Sequence, residues 1–262
     1  MTMASTIYGP VKSWRFGNSL GVDLLFQTSI CSFDCIYCQL GRIQRVTSAQ
    51  AVYVETERVL SDLMPVDWGG VDVVTFSGNG EPTLALNIGD VIDAVKDHHK
   101  KPVMVLTNAT MLTDAATRQR LARADTVACK LDAWDDAMLA RMNRPVAGVT
   151  LERIVEGIRL LKKEKFPQTV ALQCMLMPTN IGGIARLAEL VAELAPDEVQ
   201  LNTPKRPYPR AWHLENRGNH DRGVAVETTT LRTITLEDAR EAEHILRARN
   251  PGVRILSVYG EG

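Results

Sequence analysis

Val22-Asp23-Leu24-Leu25-Phe26-Gln27-Thr28-Ser29-Ile30-Cys31-Ser32-Phe33-Asp34-Cys35-Ile36-Tyr37-Cys38 couples an apolar run to three crowded cysteines. Read as a first strand, 22–27, followed by a C-x3-C-x2-C loop, it sets the phase of the chain. Short β-branched runs then alternate with amphipathic stretches as far as about residue 203. The further strand candidates are 71–76, 103–107, 126–131, 169–177 and 198–202. Between them lie apolar stripes at helical spacing: Ile88, Val91, Ile92 and Val95; Leu151, Ile154, Val155, Ile158 and Leu161; Ile184, Leu187, Leu190, Val191 and Leu194. Each unit has about the 30 residues of a right-handed βαβ crossover, so parallel strands are expected. Six such units fall short of the eight that close a full barrel. The expected fold is therefore α/β, a partial (β/α)6 barrel open on one side. Residues 1–19 read as an N-terminal extension and 20–203 as the barrel. Residues 204–262 read as a C-terminal extension covering the barrel mouth, with a helix near 236–249 and a strand near 253–258.

Across 262 residues, 30 basic and 31 acidic side chains leave a formal charge of −1, no sign of a nucleic-acid coat or a membrane-surface protein. Apolar stretches stop at four residues, against the roughly 20 that a spanning helix needs, and MTMASTIYGP opens with neither a basic nor an apolar region. A soluble, cytoplasmic protein without membrane or DNA partner is expected. Five cysteines is an odd and low count for a secreted disulfide scaffold. Three of them, Cys31, Cys35 and Cys38, share the loop after the first strand, and in parallel α/β proteins active sites form at such strand ends. Three thiolates can hold three irons of a [4Fe–4S] cube and leave the fourth iron open to a ligand. Structural zinc is the alternative, but it normally takes a fourth protein ligand nearby, and no cysteine or histidine occurs between Cys38 and His98.

With Tyr37 in its aromatic slot, the C-x3-C-x-aromatic-C loop resembles the radical S-adenosylmethionine (radical SAM) superfamily over roughly residues 10–205. The resemblance implies a partial barrel and an open-site cluster chelated by the amino and carboxylate groups of S-adenosylmethionine (SAM). It implies an oxidoreductase-like reaction in which one electron splits SAM to methionine and a 5′-deoxyadenosyl radical, which abstracts hydrogen from a substrate. A low-potential electron donor of flavodoxin or ferredoxin type is implied with it. GPVKSWRFGNSLGVDLL, CSFDCIYCQLGR, SGNGEPTL and LNTPKRP look most like small members related to wyosine-base-forming tRNA enzymes. Those enzymes carry additional cysteines upstream, whereas Cys31 is the first cysteine here.

Ser77, Gly78, Asn79, Gly80, Glu81 and Pro82 follow the second strand and resemble the family's Gly-Gly-Glu segment, whose backbone and glutamate engage the methionine ammonium; an ordinary strand-to-helix turn is the alternative. Asn79 replaces a glycine and tolerates positive φ better than most residues. Asn108 ends the third strand, near the cofactor or as a turn cap. On the fourth strand Lys130 and Asp132 share one face by the two-residue period; they suit the SAM carboxylate and ribose hydroxyls, or form a structural ion pair. Gln173 and Asn202 are expected to point inward, and Cys129 and Cys174 outward as small apolar fillers. Residues 205–222 carry five basic side chains, Lys205, Arg206, Arg210, Arg217 and Arg222, against two acidic ones, with Tyr208, Trp212, His213 and His220 interleaved. That mixture suits an anionic or nucleotide-like small-molecule substrate, with Arg206 and Arg210 for charge, Tyr208 for stacking and Arg144 as a further clamp. The alternatives are a solvated loop, or a non-catalytic iron–sulfur or zinc module that binds RNA through 205–222.

Overall fold

The computed structural model describes residues 4–218 and 227–260; His220, Asp221 and Arg222 lie outside them. Eight strands form one sheet: β1 (Ile7–Ser13), β2 (Gly17–Val22), β3 (Val73–Phe76), β4 (Val103–Thr107), β5 (Thr126–Lys130), β6 (Thr169–Met175), β7 (Glu198–Asn202) and β8 (Arg254–Ser257). They lie in chain order; β1 is antiparallel to β2, and every later pairing is parallel. The sheet curls into an open half-barrel, because β1 and β8 end it as unpaired edges. Helices α1 (Thr56–Leu63), α2 (Ile88–His99), α3 (Ala115–Arg120), α4 (Asp136–Met142), α5 (Leu151–Lys163), α6 (Ile184–Leu194) and α7 (Leu236–Arg249) alternate with the parallel strands. None of the described helices is long and apolar enough to cross a membrane.

The pleat divides the strand residues between two environments. Val105, Val127, Cys129, Leu172, Cys174, Val199 and Leu201 join the core beneath the helices, where each large apolar side chain contributes roughly 1.5–3 kcal/mol by burial. Ser19, Thr75, Lys130, Gln173 and Gln200 take the opposite parity and face the lumen. Helix starts are fixed by their own residues. Asp135 accepts from Met138 N at 2.8 Å, Thr150 accepts from Arg153 N at 3.3 Å, and Thr235 and Asp238 form a reciprocal capping box.

Three sequence expectations need correction. The first strand is Gly17–Val22. Asp23 Oδ1 accepts from Leu25 N at 3.0 Å and Phe26 N at 3.2 Å, and Phe26 and Gln27 take positive φ; the apolar run after Val22 is therefore a turn. The extension beyond 203 does not act as a whole as a cover, since α7 packs beside α6 and β8 pairs with β7. Residues 7–13 likewise join the sheet.

Candidate active site

The cysteine loop and the glycine loop are zipped together at the mouth. Ile30 N donates to Asn79 O at 2.8 Å, and Glu81 N donates to Ile30 O at 3.0 Å. A Cβ on Gly80 would lie 1.6 Å from Ile30 O, so only glycine permits this approach. Sulfur-directed donors surround the thiols. Cys31 Sγ accepts from Phe33 N at 3.4 Å and Asn108 Nδ2 at 3.5 Å, and Cys35 Sγ accepts from Asn143 Nδ2 at 3.4 Å. Burial pushes Cys35 up to about 11 and Cys38 to about 12, and Cys31 well above the usual thiol range. Such thiols ionise readily only against a positive charge such as a metal. Among the described residues no three His, Cys, Asp or Glu side chains converge as the ligands of one metal ion. A cube takes one thiolate per corner iron, and three thiols of one loop, two of them facing amide donors, fit such a cluster.

Tyr37, Lys130, Asp132 and Asn143 form one network behind Cys35. Asp132 Oδ2 accepts from Tyr37 Oη and from Asn143 Nδ2 at 2.8 Å, and its Oδ1 accepts from Met175 N at 2.7 Å. Asp132 is thus saturated and fully buried, which removes it from ribose recognition. Lys130 Nζ sits 3.3 Å from Asp132 Oδ1 and 4.9 Å from the Tyr37 ring centroid, yet this buried atom makes no hydrogen bond. A buried ammonium with vacant donors fits an anionic cofactor group.

Glu81 is equally occupied. Its Oε1 accepts from Thr83 N at 3.0 Å, Thr83 Oγ1 at 2.6 Å and Thr107 Oγ1 at 2.7 Å, and its Oε2 from Asn108 N at 2.6 Å. Desolvation nevertheless raises its pKa. Glu81 therefore braces the glycine loop against β4, where the sequence pointed to direct ammonium pairing. Pro82 starts the short turn that follows, and Ser77 Oγ lies 2.6 Å from Tyr8 Oη. Asn79 has no left-handed backbone; its amide instead donates to Asp23 Oδ2 at 2.6 Å and accepts from Trp212 Nε1 at 3.2 Å. Gln173 Nε2 donates to Gln200 Oε1 at 3.5 Å, and Asn202 is half-buried at the end of β7 with its side chain accepting from Thr203 N.

Residues 204–218 lie over the cysteine loop. Pro209 O would meet a Cβ on Gly41 at 2.5 Å, and Asn216 Nδ2 donates to Leu40 O at 3.5 Å. The half-buried Tyr208 feels Asp34, Cys38, Arg144 and Arg42, and burial raises its pKa. Arg144 is half-exposed, 3.9 Å from Asp34 Oδ2. Arg206 donates to Gln39 Oε1 and, at 2.9 Å, to Gly218 O, which ties residues 206 and 218 to the cysteine loop. Arg210 is turned outward and paired with Glu227 at 2.7 Å, which corrects its assignment to charge recognition. Arg217 is buried and holds Asp23 Oδ2 at 3.0 Å. Arg210 and Arg217 are thus each engaged by a carboxylate of this chain. Asp23 and Asn143 had no role in the sequence reading, and Trp212 and Arg217 entered it only as members of the basic and aromatic stretch; their partners lie far away in the chain, where no local signal points.

Residues 26–191 match the model of the Radical SAM superfamily. A UPF0026 protein of Synechocystis sp. is 44% identical over 221 residues, 84% of this chain and 83% of that protein. A UPF0026 protein of Methanocaldococcus jannaschii is 29% identical over 214 residues, 79% of this chain and 65% of that protein; the chain thus spans less than two thirds of that relative. Among solved structures, TYW1 with a lysine–pyruvate adduct bound superposes with a TM-score of 0.61 at 14% identity, over 90% of this chain and 75% of that one. That last likeness is one of fold.

Proposed function

The chain belongs to the radical SAM superfamily, and from that premise we propose an enzyme in which Cys31, Cys35 and Cys38 hold a [4Fe–4S] cluster and leave one corner iron to SAM. When bound, the reduced cluster supplies the electron that splits SAM to methionine and a 5′-deoxyadenosyl radical, which takes hydrogen from the substrate. The observation that carries the reading is the zipped pair of loops, with amide donors aimed at Cys31 and Cys35. Hydrogen bonds to sulfur stabilise thiolate charge. Lys130, whose ammonium has vacant donors, would pair with the SAM carboxylate, and the backbone of 77–80 would hold the methionine ammonium. Glu81 fixes that backbone. Tyr37, held by Asp132 and Asn143, keeps the cysteine loop in register. Residues 204–218, with Tyr208 and Arg206 beside the loop, exclude water from the reacting region. Electrons come from an external donor of flavodoxin or ferredoxin type, and the substrate is a small anionic or nucleotide-like molecule.

Anaerobic reconstitution tests this reading. With dithionite and SAM, the reconstituted protein is expected to release 5′-deoxyadenosine, measured by chromatography, at a rate far above that of Cys35→Ala. Equal rates from both proteins would overturn it.

A further inference from the structure

Arg15 enters the lumen from the turn between β1 and β2, on one side of the half-barrel, and reaches β7 on the other. Its Nη1 donates to Gln200 Oε1 at 2.8 Å. Gln200 stands between Val199 and Leu201, both in the helix-facing core, so its side chain and the guanidinium it receives belong to the lumen face. Gln200 pairs in register with Gln173, and Gln173 with Lys130. Three neighbouring strands thus carry Lys130, Gln173 and Gln200 in one row, with about 4.8 Å between strands.

The charges around this row do not use up its donors. Glu198 is paired with Arg254 at 3.2 Å, and its Oε1 accepts from Gln200 Nε2 at 2.7 Å. Asp132 already takes Tyr37, Asn143 and Met175 N. Arg15 Nε is buried and makes no hydrogen bond. Burial outweighs the attraction of Glu198 and lowers the Arg15 pKa to about 10, as expected of a cation whose counter-charge is incomplete.

We propose that Arg15 and Gln173 form an oxyanion site on the floor of the lumen, with Gln200 as the positioning residue that holds the guanidinium across the barrel. The site takes a carboxylate or a phosphate, both of which match the planar guanidinium fork. This deepens the radical SAM reading and rests on it in one respect: the oxyanion belongs to the molecule the radical attacks, anchored at the end remote from the reacting carbon. It also transfers anion recognition from the cover, where Arg210 is turned to solvent, to the interior.

Phenylglyoxal labelling of the reconstituted protein, with Arg15 followed by peptide mass spectrometry, tests the site directly. Arg15 is expected to be labelled, and inorganic phosphate or acetate to slow its labelling saturably. Protection by phosphate alone marks a phosphate site, by acetate alone a carboxylate site. Gln173→Leu is expected to raise the protecting anion concentration severalfold, and Arg15→Gln to abolish the labelled peptide. An Arg15 that does not react, or one that reacts at the same rate with and without either anion, overturns the proposal. Production of 5′-deoxyadenosine by the same preparation separates that failure from a failure of the radical reading.

Discussion

Cys31, Cys35 and Cys38 at the mouth and Cys129 and Cys174 under the helices are the same residue in two settings. Burial raises the pKa of every one of them, so an elevated pKa does not distinguish a ligand from a filler. What differs is the company each sulfur keeps. At the mouth Asn108 and Asn143 aim amide protons at Cys31 and Cys35, and the surrounding polar side chains hold one another in place. Under the helices the thiols sit in the apolar core, and among the described residues neither sulfur takes a hydrogen bond. The mouth is held by directional polar contacts, the helix layer by close packing, and the two should fail differently.

The sharpest contrast is in metal content. Replacing Cys31, Cys35 or Cys38 by alanine should reduce the reconstituted protein from about four irons per chain to nearly none, as an iron assay will show. Next comes Arg217→Met, which leaves Asp23 buried without its partner, although both side chains are almost wholly inaccessible. A loss of about 3–5 kcal/mol in urea denaturation is expected, and an unchanged midpoint would mean that the mouth is not held by this pair. Cys129→Ala should cost only about 1–3 kcal/mol through the cavity it leaves, with iron content unchanged; lost iron would erase the distinction between the two sets. The last effect, of similar size, is a pH dependence. Tyr8 is raised from about 10 to about 12, chiefly by burial, so its proton is held more tightly in the folded state. The stability this confers is complete below pH 10 and is lost as pH rises toward 12. Tyr8→Phe should remove roughly 1–3 kcal/mol of that alkaline loss in denaturation measured at pH 9 and pH 11.5.

The repeat of strand and helix was legible because β3, β4, β5 and β6 each carry a buried apolar run, and α7 falls on the 236–249 expected from its pattern. The first strand was misplaced for a physical reason. Gly17-Asn18-Ser19-Leu20-Gly21 looks too polar and too small for a strand, yet the Tyr8 ring fills the space where a Gly21 side chain would stand. The crowding of Cys31, Cys35 and Cys38 was legible from spacing alone. The occupancy of Glu81 and Asp132 was not, because their donors come from Thr107, Asn108, Asn143 and Met175 on other elements. Arg217 meets Asp23 across 194 positions, a separation at which neither composition nor periodicity speaks.

Electron paramagnetic resonance of the dithionite-reduced protein, recorded with and without SAM, tests most directly whether three thiols hold a cluster with one open iron. The account predicts a reduced-cluster signal in the wild type that changes in shape and g values when SAM is added, and that is absent in Cys35→Ala. A signal identical with and without SAM would mean that every iron is already fully ligated by protein, and would contradict it.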